Sequence, residues 1–311
     1  MPTKYQFNGF LNISKPINIT SMEVVRRVKS LTGMRKKVGH GGTLDPLATG
    51  VLPICLGQAT RLMEYIINGS KRYTMEIQLG ISTTTYDSEG EILSKKSPKD
   101  VTARDIEESL DAFRGEILQI PPMYSALKQN GQRLYDLARK GVTVERNPRK
   151  VTVTNLVLTR FDTPNLTVDV ECRRGLYLRS LGHDLGQVLG CGAHVTKLTR
   201  SCSGPFLLKD AQTLNQLETR NNELQNTILH PDFALNHLKS LRVGDLEKEL
   251  LQRGAPIRLI DIASTTPHLE SRRAYTSEGV FMGVIRFHRA DGEWHPHKIF
   301  ELNEHSPYAP S

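Results

Sequence analysis

Residues 39 to 53 read Gly39-His40-Gly41-Gly42-Thr43-Leu44-Asp45-Pro46-Leu47-Ala48-Thr49-Gly50-Val51-Leu52-Pro53. Four of the first eight are Gly or Pro, so the stretch predicts a loop. Such a loop invites a phosphate cradle, but the required residues are missing. A P-loop ends in Gly-Lys-Ser/Thr, and the chain has no Gly-Lys pair. The dinucleotide fingerprint needs a third glycine where Leu44 stands, and there is no G-x-S-x-G elbow. What remains is one carboxylate, Asp45, between Leu44 and Pro46, with His40 five residues before it. On local features alone an Asp before Pro in a loop is a turn former.

Upstream, Thr20 and Glu23 have capping-box spacing, Val24, Val25, Val28 and Leu31 fall on one helical face, and Gly33 offers a stop. Downstream, Tyr73, Met75, Ile77 and Leu79 alternate as in a half-buried strand. Thr102 and Asp105 cap a second helix with Ile106, Leu110 and Phe113 at helical spacing, ended by Gly115. Residues 121–150 are basic: Lys128, Arg133, Arg139, Lys140, Arg146, Arg149 and Lys150 face only Asp136 and Glu145. The short helix inside them, Leu134 to Lys140, has too few apolar positions to bury a full face. It reads as a protruding solvated element or as one that grips RNA.

Val151 to Phe161 and Leu166 to Cys172 predict two strands joined at a turn containing Pro164. A helix follows from about Leu178 to Leu189, with Leu181, Leu185 and Val188 inward, and Thr213 and Gln216 cap another. Beyond Leu238 short apolar runs alternate with turn clusters: Leu250 to Ile260, Val280 to Phe287, His297 to Leu302. They predict a small strand-rich C-terminal unit.

Lys and Arg number 41 against 33 Asp and Glu, a net charge of +8 that favours polyanionic partners. The four cysteines form no C-x-x-C pair and match no zinc spacing, which points to buried reduced thiols. No apolar stretch approaches the ~20 residues of a membrane span, and the first ten residues have no signal-peptide pattern. A cytoplasmic enzyme or RNA-binding protein fits these features.

Read together, the segments resemble the TruB-type pseudouridine synthases. The resemblance rests on residues 39–53, then on Cys55-Leu56-Gly57-Gln58-Ala59-Thr60, Lys71-Arg72-Tyr73 and Pro121-Pro122-Met123-Tyr124-Ser125-Ala126-Leu127-Lys128. Gly175-Leu176-Tyr177-Leu178-Arg179-Ser180 and Gly190-Cys191-Gly192-Ala193-His194-Val195 with Leu198 complete it. All six blocks occur in order over residues 8 to 206. More weakly, Arg253-Gly254-Ala255-Pro256, Phe281-Met282-Gly283 and Pro296-His297-Lys298-Ile299-Phe300 resemble a PUA-type RNA-binding domain. The chain departs from the family where Thr84 replaces a frequent Asp, and where Ser14 and Asn18 replace a frequent Asp and Gly.

The resemblance implies an α/β (α+β) fold. A large, mostly antiparallel sheet flanked by helices would form a catalytic domain over 1–238, with a thumb-like basic insertion at about 121–150. A PUA-like β-barrel would follow over 239–311. It implies isomerisation of uridine to pseudouridine at position 55 in the T-loop of tRNA, without a guide RNA, by a monomer with no obligate protein partner. No electron, phosphate or carbon group is exchanged, so neither cofactor nor metal is expected.

Asp45 would be the catalytic carboxylate, acting as nucleophile or base. Arg179 would hold it ionised, and Tyr73 and Tyr177 would serve the base or a proton. Tyr73 is also in phase with core positions, so both readings stand. Substrate contacts are expected from His40, Leu198, Asp87, Lys71, Lys128, Arg139 and Lys140. The alternative is a tRNA-binding folding chaperone with little or no catalysis.

Overall fold

The computed structural model describes residues 7–129, 131–219, 223–259 and 265–310, with the Lys128 side chain outside that set. The first helix, Ser21–Thr32, shows how local sequence sets an element. Thr20 Oγ1 accepts from the Glu23 amide at 3.0 Å, and Gly33 ends the helix at φ 66°. The reciprocal half of the capping box does not form, because the Glu23 carboxylate pairs with Arg26 at 2.8 Å instead. Val24, Val25 and Val28 are buried against the sheet. The second predicted cap is complete: Thr102 and Asp105 satisfy one another's amides at the start of Ala103–Leu110.

Among the described residues the large sheet has ten strands. Its main path runs Gln212–Thr213, Gly9–Lys15, Ala48–Leu56, Ala193–Ser203, Lys71–Leu79, Asn165–Cys172, Arg149–Asp162, Gly115–Gln119. Val38–His40 and Phe206–Leu207 pair off this path. Pairing is mostly antiparallel. It is parallel where Gly9–Lys15 meets Gln212–Thr213 and where Ala48–Leu56 meets Ala193–Ser203. Lys71–Leu79 is hydrogen-bonded on both edges, and Met75, Ile77 and Leu79 on its covered face are buried in the main core. The Pro164 turn joins Arg149–Asp162 to Asn165–Cys172 as a hairpin.

Two sequence expectations need correction here. The glycine-rich stretch opens as a strand, because Val38–His40 pairs with Ala48–Leu56 before the chain turns into the loop. Val188 is not inward: it is 59% exposed at the end of Leu178–Val188, while Leu181 and Leu185 are buried. That helix lies directly on the Ala193–Ser203 strand. A Cβ on Gly186 would stand 2.2 Å from the Ala193 amide nitrogen, so only glycine permits the contact.

The C-terminal sheet has four strands in the order Ser240–Val243, Ser271–Thr276, Phe281–His288, Glu293–Ile299. The first pair is parallel and the rest antiparallel. The expected barrel is, among the described residues, this sheet extended by bridges Ile257–Trp294 and Val280–His305. Leu250 belongs to a helix, Asp245–Gln252, rather than to a strand-like run. Ser271–Thr276 forms where no strand was expected, and the last strand begins earlier than its apolar run. Ile260 lies outside the described residues.

Among the described residues three apolar cores form. One packs the large sheet against its helices, and one lies behind the small sheet around Trp294 and Phe287. The other is shared: Phe10, Val51, Cys55, Leu62, Ile66 and Phe206 meet Tyr275, Phe281, Val284 and Phe300. All four cysteines are free and buried. No described helix is long and apolar enough to cross a membrane.

Candidate active site

The Asp45 loop is fixed from several sides before any catalytic contact is counted. Ser21, in the first helical turn, donates to Leu44 O at 2.9 Å and accepts the Leu44 amide at 2.8 Å. The amide of Asn18 reaches Pro46 O at 2.9 Å. Asn18 sits at φ 67°, a left-handed conformation that asparagine tolerates better than most residues, which accounts for its standing in a frequent glycine position. Lys15 is fully buried and donates to Pro16 O, Ile19 O and Pro46 O at 2.8, 2.7 and 3.3 Å. Burial lowers its pKa to about 8, against the opposing pull of Asp45.

Arg200 anchors the other limb of the loop. Its guanidinium, almost fully buried, donates to Val51 O, Thr43 O and Gly42 O at 2.7, 3.4 and 3.0 Å. The backbones touch as well. Gly50 has φ +98°, and a Cβ there would lie 2.2 Å from Arg200 O.

Held this way, Asp45 meets Arg179. Arg179 Nε donates to Asp45 Oδ2 at 2.9 Å. The remaining nitrogens are committed too: Nη1 to Thr85 O at 3.0 Å, Nη2 to Tyr124 O at 2.8 Å. Asp87 Oδ2 stands 3.4 Å from Nη1. The Arg179 side chain is 6% exposed and that of Asp45 is 39%. The cation is therefore immobilised inside the protein while the carboxylate stays partly open to solvent. Among the described residues Asp45 Oδ1 accepts no hydrogen bond, so one oxygen remains for a substrate.

Asp87 is buried, fixed by Thr85 Oγ1 and by the Glu89 amide at 3.1 Å, and adds a second negative charge against Arg179. Tyr73 is half-buried on Lys71–Leu79, packed against the main core and in register with Arg200. Burial raises its phenol pKa, and the Asp45 charge adds to the rise while Arg200 opposes it. Tyr177 is the N-cap residue of Leu178–Val188, its backbone held by both ends of the Gln119 amide at 2.8 and 3.0 Å. Burial raises its pKa as well, again with Asp45 contributing. Both phenols are therefore neutral donors at neutral pH.

His40 ends the Val38–His40 strand, and its Nδ1 is buried without a hydrogen-bond partner. Burial, then Arg200, lowers its pKa, which favours the neutral ring. Leu198 is buried on Ala193–Ser203, paired with Ala48 three residues after the carboxylate.

The basic residues lie elsewhere. Lys71 is buried with its ammonium on Ile66 O, Ile67 O and Gly69 O, closing the C-terminus of helix Met63–Asn68, and burial lowers its pKa to about 8. Arg139 and Lys140 sit on the 121–150 insertion, a two-strand ladder, Lys128–Gln129 with Gln132–Arg133, leading into helix Leu134–Arg139. There Arg133 and Arg139 flank the Tyr135 ring at 5.6 and 5.5 Å, beside a concavity of about 580 Å³ that also takes in Lys140. The Lys128 side chain lies outside the described residues.

Asp45, Arg179 and Asp87 thus touch, Tyr73 and Tyr177 stand within reach of the same charge, and Leu198 and His40 border the loop. Sequence reading missed Lys15, Ser21, Gln119 and Arg200. Each acts on backbone atoms; Gln119 and Arg200 lie within two residues of the blocks that carry the family resemblance, whereas Lys15 and Ser21 lie well outside them.

The chain that carries this half-open carboxylate and its buried guanidinium matches a known family. Residues 29–178 match the family model described as TruB family pseudouridylate synthase (N terminal domain). Residues 179–238 match that of the tRNA pseudouridylate synthase B C-terminal domain. The chain belongs to the TruB family of pseudouridylate synthases.

A tRNA pseudouridine synthase B from Dehalococcoides mccartyi is 46% identical over 94% of this chain and 96% of its own. One from Thiobacillus denitrificans is 43% identical over 91% and 93%. A chain in the crystal structure of a Cbf5-Nop10-Gar1 complex superposes with a TM-score of 0.71 at 23% identity, covering 100% of this chain and 93% of that one. That likeness is one of fold.

Proposed function

We propose that this chain isomerises uridine to pseudouridine in the T-loop of tRNA, at position 55, without a guide RNA and as a monomer in the cytoplasm. The observation that carries the reading is the Asp45–Arg179 pair, with one carboxylate oxygen clamped and the other open. Its relatives, named as tRNA pseudouridine synthase B over nearly their whole length, support the substrate.

The reaction cleaves the bond from C1' to N1, turns the base and rejoins it through C5. Asp45 assists by attacking the substrate covalently or by removing a proton. Arg179 keeps it ionised and aimed. The target base must first leave the RNA stack, at a cost of a few kcal/mol. Tyr73 recovers part of that by stacking, Tyr177 donates a hydrogen bond or relays a proton, and His40 fills the space the nucleotide leaves. Leu198 lines the pocket, and Asp87 steadies Arg179. Arg139, Lys140 and Lys128 grip phosphates from the thumb, and Lys71 shapes the strand that presents Tyr73. Residues 1–238 form the catalytic unit, and 239–311 a PUA-like unit that extends the RNA surface.

The test uses tRNA carrying tritium at uracil C5, with chelator and no added cofactor. Rejoining through C5 releases that tritium to water. Release of one equivalent per tRNA by the wild type, and none by Asp45→Asn, is expected. Tight tRNA binding without release would leave a folding chaperone as the function.

A further inference from the structure

The hairpin joining Phe281–His288 to Glu293–Ile299 carries a second cluster of chemistry-bearing side chains. The register pairs His288 with Glu293 and Arg286 with His295, so His288 and His295 are diagonal neighbours on one face. Their rings stack at 4.1 Å and 22°. Asp291, in the turn, folds back over them. Its Oδ1 accepts the Glu293 amide at 3.0 Å, and its Oδ2 faces His295 Nε2 at 2.8 Å. One ligand atom from each of His288, Asp291 and His295 lies within 4.8 Å of the other two. His268 packs edge-on against His288 at 5.9 Å, and its Nδ1 accepts the Arg289 amide at 3.2 Å, which steadies the turn from behind.

We propose that His288, Asp291 and His295 form a binding site for one divalent late first-row transition ion, zinc in the first instance. Two imidazoles and a carboxylate are the donors such ions take, whereas calcium and magnesium prefer oxygen alone. The spacing H-x2-D-x3-H is supplied by a tight hairpin, so the three donors are gathered by backbone pairing rather than by chance approach of loops. Ligands at about 2.0–2.1 Å from a tetrahedral zinc stand roughly 3.3 Å apart. The His295–Asp291 pair at 2.8 Å is already near that separation. Asp291 is exposed and His288 partly so, which leaves both side chains room to rotate inward. On binding, His295 Nε2 must be free of its proton, and it and the Asp291 carboxylate turn to the ion. A fourth position stays open to water. Among the described residues none of the three touches Asp45 or Arg179, so the site is independent of the isomerase reading. Its effect is to tie the turn of the hairpin to the two strands it joins.

The whole chain, freed of metal by chelator, is titrated with cobalt(II) chloride while visible absorption is read, and zinc chloride is then added as competitor. One equivalent of low-coordinate cobalt spectrum, displaced by zinc, is expected. Asp291→Asn and His295→Gln should each weaken binding by at least about tenfold. Circular dichroism matching the wild type accompanies each variant. An independent reading needs no variant: acylation of the wild-type histidines by diethyl pyrocarbonate, mapped by mass spectrometry, should slow at His288 and His295 when zinc is present. Absence of a low-coordinate cobalt spectrum, binding undiminished in folded variants, or acylation of His288 and His295 unchanged by zinc overturns the proposal.

Discussion

At the scale of single residues, Arg179 and Asp45 divide the work unequally. The guanidinium commits every nitrogen to the protein, so its contribution to RNA affinity should be small and its contribution to the posture of the carboxylate large. Arg179→Ala should lower turnover about 10²–10³-fold, the range for losing one preorganised electrostatic partner, with tRNA affinity nearly unchanged. Arg179→Lys should rescue little, because a compact ammonium does not reproduce the planar fork that spans Asp45 Oδ2, Thr85 O and Tyr124 O at once. Single-turnover kinetics beside filter binding separates the two effects, and equal loss of both removes Arg179 from its assigned role.

Lys15 gives a prediction in pH. Burial holds its folded pKa at about 8, below the unfolded value. Between pH 8 and about 10.4 the unfolded chain therefore keeps a proton that the folded chain has released. More protons bound in the unfolded state means stability gained from this group as pH rises through that window. Urea midpoints of wild type and Lys15→Met, compared across that window, should differ in slope against pH, the wild type rising more. Equal slopes would show that Lys15 is not the titrating group.

These residues also mark what sequence can and cannot reveal. Asp45, Tyr73, Tyr177 and Arg179 stand in ordered blocks, and the blocks could be read as a set. Lys15 and Arg200 could not be read, because their partners are carbonyl oxygens. A carbonyl leaves no trace in the residue type that carries it, so a buried cation feeding three of them looks like any surface lysine or arginine. Lys71 shows the converse: a basic residue inside a functional block closes the end of the helix Met63–Asn68.

At the scale of elements, caps and alternation were legible. Thr20, Gly33, Thr102 and Asp105 set helix ends by contacts within four residues, and Met75, Ile77 and Leu79 alternate because one strand face is covered. Strand order was not legible, since Lys71–Leu79 pairs with partners about a hundred residues away. Val188 misled because helical phase says which side faces the sheet, not where the sheet stops.

The thumb carries a prediction of its own. It exposes Arg133, Arg139 and Lys140 around Tyr135 with little apolar support. Neutralising Lys128, Arg139 and Lys140 together should weaken tRNA binding. It should also lower the slope of log affinity against log salt by roughly one for each phosphate that is no longer neutralised. Binding isotherms over roughly 50 to 200 mM salt measure the slope. A slope that does not change would detach the thumb from the RNA.

At the scale of the whole molecule, the two sheets are not independent. Phe10, Val51 and Phe206 of the large sheet share a core with Tyr275, Phe281 and Phe300 of the C-terminal part. Asp232, fully buried at this junction, accepts Tyr275 Oη at 2.6 Å, and Ser306 Oγ and His230 Nδ1 both at 2.5 Å. A boundary drawn near residue 238 on composition therefore cuts through packed apolar surface. Calorimetry of the full chain should give one cooperative transition, and removal of residues 239–311 should leave a catalytic part that aggregates or melts earlier. Two separated transitions would show that the shared core contributes little.

The four attachments of Arg179 have one more consequence. Thr85 O belongs to the turn that also holds Asp87, and Tyr124 O to the root of the thumb, while Asp45 arrives on the glycine-rich loop. Three chain segments, remote in sequence, must all be in place before the guanidinium is fully satisfied. The ion pair thus behaves as a logical conjunction: displacement of any one segment strips a donor bond from the cation and loosens its hold on the carboxylate.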